Sequence, residues 1–144
     1  METKLLHFLL VEDDDDHAAI VLRTLQRNRV GNTVDRVADG QQALDYLRGT
    51  TQFAGRPRPD VILLDLKLPK VDGHEVLETI KNDPQFSSIP TVVLTTSDAE
   101  VDRMRAYSNH ANSYLVKPVD FHRFRQMVDD LNLYWGVWNR PTAS

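Results

Sequence analysis

Cysteine is absent from this chain. Its absence excludes a disulfide framework, a thiolate-ligated zinc site and thiol catalysis. There is no basic excess either: 17 Lys and Arg stand against 21 Asp and Glu, for a net charge of -4. Proteins that grip the phosphate backbone of nucleic acid ordinarily show the opposite balance, so no nucleic-acid partner is expected. No apolar run reaches the roughly 18–20 residues needed to cross a bilayer, so no membrane partner is expected. The N-terminus has one lysine, Lys4, then Leu5-Leu6-His7-Phe8-Leu9-Leu10-Val11, and then turns acidic at once. That is not the pattern of a secretory leader, and a cytoplasmic location is the expectation. At 144 residues the chain is expected to form one domain. A domain of that size buries roughly two-thirds of its unfolded surface and needs no staples.

Five short apolar runs are present: Leu5–Val11, Thr33–Val37, Val61–Leu64, Thr91–Leu94 and Ser113–Val116. The first, third and fourth are apolar almost throughout, as strands buried on both faces of a parallel sheet are. The second, with Asp35 and Arg36 at its centre, is polar enough for a sheet edge. Between the runs, apolar residues recur at helical spacing. They are Ala19, Leu22 and Leu25; Ala43, Leu44 and Leu47; Val76, Leu77 and Ile80; Val101 and Met104; and finally Phe121, Phe124, Val128, Leu131 and Trp135. Asp39…Gln42, Asp72…Glu75 and Ser97…Glu100 each fit a capping box, and Asp120 fits a cap for the last helix. Gly31, Gly49 and Pro84 are stop signals. The pattern predicts (βα)5: five parallel strands, right-handed crossovers and helices on both faces of the sheet. Gly49–Pro59 reads as a loop. The fourth helix has the thinnest apolar stripe and is expected to be the most mobile.

In an open α/β sheet, ligands bind beyond the carboxyl ends of the strands. Here the first strand runs into Glu12-Asp13-Asp14-Asp15-Asp16, the third into Asp65, the fourth into Thr95-Thr96 and the fifth into Lys117-Pro118. Asp15 and Asp16 are accounted for by capping and dipole chemistry at a helix start. Glu12 and Asp13, at the mouth of an apolar strand, are not. Asp65 follows Val61-Ile62-Leu63-Leu64 and would be costly to bury unless paired or metal-bound. Clustered carboxylates with oxygen-only chemistry suit a hard cation such as Mg²⁺, which takes one or two carboxylates and further oxygens from phosphate or water. A carboxylate can attack a phosphoryl group to give an acyl phosphate. Lys117 and the Thr95 hydroxyl would then orient the phosphoryl oxygens. The rim reads as an aspartate phosphorylation site with no organic cofactor.

These residues resemble the response-regulator receiver domain of two-component signalling, a CheY-like, flavodoxin-like doubly wound α/β fold. The resemblance spans about residues 5–135. It is carried by Phe8 to Asp14, Asp60 to Gly73, Val93 to Ser97 and Tyr114 to Pro118. It implies strand order 2-1-3-4-5, with residues 1–135 as the receiver and 136–144 as a short aromatic tail without an output domain. It implies Asp65 as phosphoacceptor. Glu12, Asp13, Asp65 and the backbone carbonyl of Lys67 would hold Mg²⁺, with Mn²⁺ or Ca²⁺ able to substitute. Thr95 would be the switch hydroxyl, Tyr114 the switch aromatic and Lys117 the phosphate-binding lysine, with a cis Lys117–Pro118 bond. Glu12 replaces the Asp often found first in the acidic pair. Lys67 and Ser97 stand where the family tunes its dephosphorylation rate. The segments Leu94 to Glu100 and Tyr107 to Tyr114 look most like receivers paired with phytochrome-type histidine kinases.

The implied role is a signalling protein rather than an enzyme, its output delivered by protein contact or phosphorelay. On phosphorylation Thr95 is expected to move to the phosphoryl group, Tyr114 to turn inward, and the face of the fourth helix, fifth strand and fifth helix to change shape. His7, His17, His74, His110 and His122 are scattered and read as surface or core histidines, so the phosphoryl donor is another protein. A haloacid-dehalogenase phosphatase would need Asp-x-Asp where Asp65-Leu66-Lys67 stands. A flavodoxin would need a phosphate loop rich in Ser, Thr and Gly after the first strand. The end of the chain stays apolar, and Tyr134, Trp135, Val137 and Trp138 are expected to join the last helix in a homodimer interface.

Overall fold

The computed structural model describes residues 6–28, 32–118 and 120–133. Each apolar run becomes a strand: β1 (His7–Val11), β2 (Thr33–Val37), β3 (Val61–Leu64), β4 (Thr91–Thr95) and β5 (Ser113–Val116). Each stretch of helical spacing becomes a helix: α1 (Asp15–Asn28), α2 (Gly40–Arg48), α3 (Gly73–Asn82), α4 (Glu100–Ser108) and α5 (Phe121–Leu133). The strands form one parallel sheet in the order β2-β1-β3-β4-β5, as expected. The Gly49–Pro59 loop holds one 3₁₀ turn, Thr51–Phe53.

Successive side chains on a strand point to opposite faces, so an apolar strand feeds two cores. Leu9, Val11, Ile62, Leu64 and Val93 pack with Ala43 and Leu44 of α2 and Val76, Leu77 and Ile80 of α3. Phe8, Leu10, Val61, Leu63, Val92 and Leu94 pack with Ala18, Val21 and Leu25 of α1 and Phe124 and Val128 of α5. This division explains why β1, β3 and β4 show no polar alternation. Tail residues Tyr134, Trp135, Val137 and Trp138 lie outside the described residues, as does Gly31.

Most boundary signals act as read. The Asp39 carboxylate accepts the Gln42 amide at 2.8 Å, and Gly49, at φ 66°, closes α2 in the left-handed conformation. Asp120 accepts the amides of His122 and Arg123 at 2.8 and 3.1 Å. Two expectations fail. Ser97 does not cap α4: the N-cap is Ala99, which makes no side-chain cap bond. The Ser97 hydroxyl donates to Asp102 at 2.5 Å and accepts the amide of Ala99 at 3.3 Å, so it stands too early in the chain to reach the amides inside α4. The Lys117–Pro118 bond is also not cis, since every peptide bond among the described residues is trans. Trans is the lower form of an X–Pro bond by about 0.5–1 kcal/mol.

Candidate functional site

Because all five strands run the same way, their carboxyl ends share one rim. The sheet ladder continues one residue past three strand ends and so fixes the functional side chains. The Glu12 amide donates to Val37 O at 3.1 Å, the Asp65 amide to Val11 O at 3.0 Å and the Lys117 amide to Thr95 O at 2.7 Å. α3 starts directly against this rim. A Cβ on Gly73 would sit 2.4 Å from the carbonyl oxygen of Asp65, so the helix reaches the Asp65 loop only because position 73 carries no side chain.

Glu12, Asp13 and Asp65 come together, one carboxylate oxygen from each lying within 4.8 Å of the others. Glu12 and Asp65 are buried and Asp13 is exposed. The buried Lys117 ammonium donates to Asp65 Oδ2 at 3.0 Å and closely to Glu12 Oε1. Three carboxylates thus face one ammonium. Burial pushes the Glu12 carboxyl up to about 7; Lys117 pulls it down, and Asp65 adds to the rise. The deficit of positive charge and the oxygen-only donor set fit a divalent cation. Lys67 stands on the same loop, its amide donating to Asp65 Oδ1 at 3.3 Å.

Thr95 is fully buried, and its hydroxyl accepts the Ser97 amide at 3.3 Å. Tyr114 already lies inward. Its ring is buried, its hydroxyl donates to Ser97 O at 2.9 Å, and the Arg103 guanidinium lies 5.5 Å from the ring centroid. Burial raises the pKa of its phenol. The two switch candidates therefore meet at one residue, Ser97.

Several neighbours were not singled out from sequence. His17 is no ordinary surface histidine: its Nδ1 lies 3.1 Å from Lys117 Nζ. Its one sequence signal is a place in the first turn of the helix that follows the acidic pair. Arg36, on the edge strand beside β1, donates from Nε to Glu12 O and from Nη1 to Asp15, both at 2.9 Å, and so holds the β1–α1 loop. The buried His74 pairs through Nε2 with Asp102 Oδ1 at 2.9 Å. No helix among the described residues is long and apolar enough to cross a membrane.

The pattern of the response regulator receiver domain matches residues 8–129. The chain is 48% identical over 132 residues to the probable methanogenesis regulatory protein FilR2 of Methanothrix harundinacea, covering 92% of this chain and 84% of that protein. It is similar to the crystal structure of the Mn²⁺-bound form of response regulator Rcp1, with a TM-score of 0.92 at 36% identity, covering 96% of this chain and 99% of that one. It is also similar to the crystal structure of the phosphorylated cyanobacterial phytochrome response regulator RcpA, with a TM-score of 0.89 at 39% identity, covering 92% and 94% of the two chains. With the strand order, the acidic cluster and the buried lysine in place, the chain belongs to the response regulator receiver domain family.

Proposed function

We propose that the protein is a phosphorylation switch in which Asp65 takes a phosphoryl group from a histidine kinase, with Mg²⁺ bound at Glu12, Asp13, Asp65 and the Lys67 carbonyl. The observation that carries this reading is the Lys117 ammonium held between Asp65 and Glu12 on an acidic rim. An oxygen of the Asp65 carboxylate attacks phosphorus, and the bond to the kinase histidine breaks. Lys117 and the Thr95 hydroxyl bind phosphoryl oxygens, and the sheet ladder holds Asp65 in place. The cation, when bound, offsets negative charge on the acidic cluster and the phosphoryl oxygens. Mn²⁺ would serve in its place, in keeping with the Mn²⁺ bound to Rcp1. The switch reaches partners through the α4–β5–α5 face, where Val101, Met104, Tyr107 and Phe121 are exposed.

The likeness to RcpA supports a kinase of the phytochrome type. The higher identity to FilR2 favours a second reading, a histidine kinase whose sensor does not perceive light. Either way the chemistry at Asp65 is the same. The homodimer through the last helix and Tyr134, Trp135, Val137 and Trp138 rests on the apolar character of that stretch. Scattering that shows a monomer for the intact chain would remove it.

The first test is intact mass after incubation with acetyl phosphate and Mg²⁺. One added phosphoryl group is expected, absent in Asp65→Asn and in a chelator control. No addition to a folded protein would reject Asp65 as an acceptor.

A further inference from the structure

We infer that His17 is a positioning residue for Lys117 in phosphoryl transfer, an inference that rests on the reading of Asp65 as phosphoacceptor. The Lys117 ammonium carries three N–H bonds and has no acceptor. One points to Glu12 Oε1, one to Asp65 Oδ2 at 3.0 Å and one to His17 Nδ1 at 3.1 Å. All three donors are therefore assigned. The Lys117 side chain is 1% exposed, so water does not substitute for a lost partner.

The partners on Lys117 dictate the state of the ring. Nδ1 must accept, so its proton sits on Nε2 and the imidazole is neutral. The residue is anchored at its backbone and at its ring. The His17 amide donates to Asp14 Oδ1 at 3.0 Å at the start of α1. The ring meets the buried Phe124 of α5 edge-on, with centroids 5.6 Å apart and planes at 62°. Swinging the imidazole off Lys117 would break an α1–α5 contact.

A neutral acceptor suits this position for an electrostatic reason. When Asp65 becomes an acyl phosphate, Lys117 exchanges a carboxylate oxygen for phosphoryl oxygens. An aspartate at position 17 would add a further anion and compete with the phosphoryl group for the ammonium. An apolar residue would leave one buried N–H without a partner. The imidazole holds Nζ at the rim through the exchange and adds no charge.

The test uses the full chain, Mg²⁺ and acetyl phosphate, with the rate of phosphoryl addition followed by intact mass. His17→Leu removes the acceptor and is expected to slow the rate about threefold to tenfold, the range for one hydrogen bond. His17→Asn places an acceptor oxygen where Nδ1 stands and is expected to recover most of the rate. Mg²⁺ affinity by calorimetry is expected to stay within twofold in both. Wild-type rates in both variants overturn the inference. Equal slowing in both also overturns it and assigns His17 to packing against Phe124. Nitrogen-15 NMR of the histidine ring decides the pairing independently of turnover. A proton on Nε2, with an Nδ1 shift that changes in Lys117→Ala, supports it, and a proton on Nδ1 refutes it. If the wild type takes no phosphoryl group, the reading of Asp65 fails, while the ring spectrum still settles the Lys117–His17 pair.

Discussion

α3 and α4 are neighbours on one face of the sheet and nearly equal in length, at ten and nine residues, yet they are held in different ways. α3 buries Val76, Leu77 and Ile80 almost completely and starts from the Asp72 cap. α4 buries Ala106 alone, while Val101 and Met104 are 72% and 62% exposed. What holds α4 is polar. Asp102 accepts from the Ser97 hydroxyl and pairs with His74 of α3, and Arg103 lies over the Tyr114 ring. His74 uses Nε2 for this contact, and its buried Nδ1 has no hydrogen-bond partner among the described residues. Apolar area fixes α3 as part of the frame. A few directional bonds fix α4, and each of them ends on or beside Ser97, which also touches Thr95 and Tyr114. An element held in this way can shift at little cost in buried area, which is what a switch face needs.

The comparison can be broken from either side. Leu77→Ala should cost about 2–5 kcal/mol, because it opens a cavity in a closed core. Urea unfolding measures this, and a cost under 1 kcal/mol would mean that α3 is not the frame. Asp102→Ala should cost less, about 1–3 kcal/mol, through the unpaired Ser97 and His74 donors. Hydrogen exchange should show faster opening of α4 amides with α3 amides unchanged; equal acceleration in both helices would show that they open as one unit.

Acid offers a third test. The Ser97 hydroxyl, and then His74, hold the Asp102 carboxyl below its ordinary value of 3.8. The folded state therefore binds this proton less readily than the unfolded chain. The contribution is present above that ordinary value and is lost as pH falls through the lower folded value. Protection of α4 should drop on acidification in the wild type more than in Asp102→Ala. Identical acid profiles would remove the carboxylate from the account. The smallest effect is expected at Met104→Ala, within about 0.5 kcal/mol, since the side chain is already mostly in water. A larger loss would mean that α4 buries more than its exposure shows.

Much of the fold was legible because its strands are apolar on both faces. β2, β3 and β5 occupy the residues read from sequence, β4 extends one residue to Thr95, and β1 starts at His7, within the Leu5–Val11 run. The site was legible for a related reason. Glu12, Asp65 and Lys117 each follow a strand end directly and Asp13 stands one residue further on, and parallel strands carry their ends to one rim. Ser97 differs from its sequence reading because spacing suggests a cap but does not reveal that the helix starts later, at Glu100, with Ala99 as its N-cap. The role of His17 is not legible because the partners of its ring, Lys117 and Phe124, are both about 100 residues away in sequence.

Local pattern set what is local: which segments are extended, which are helical, where α2 and α5 begin, and which carboxylates stand at strand mouths. Side-chain period and capping chemistry act over a few residues, so they can be read without a structure. The tertiary fold alone decided the partners. Lys117 meets Asp65, His17 and Glu12 across 52, 100 and 105 residues of chain. Contacts of that span depend on strand order and on which helices cover which face. Which side chain accepts a given proton therefore follows from the assembled sheet and not from any segment of it.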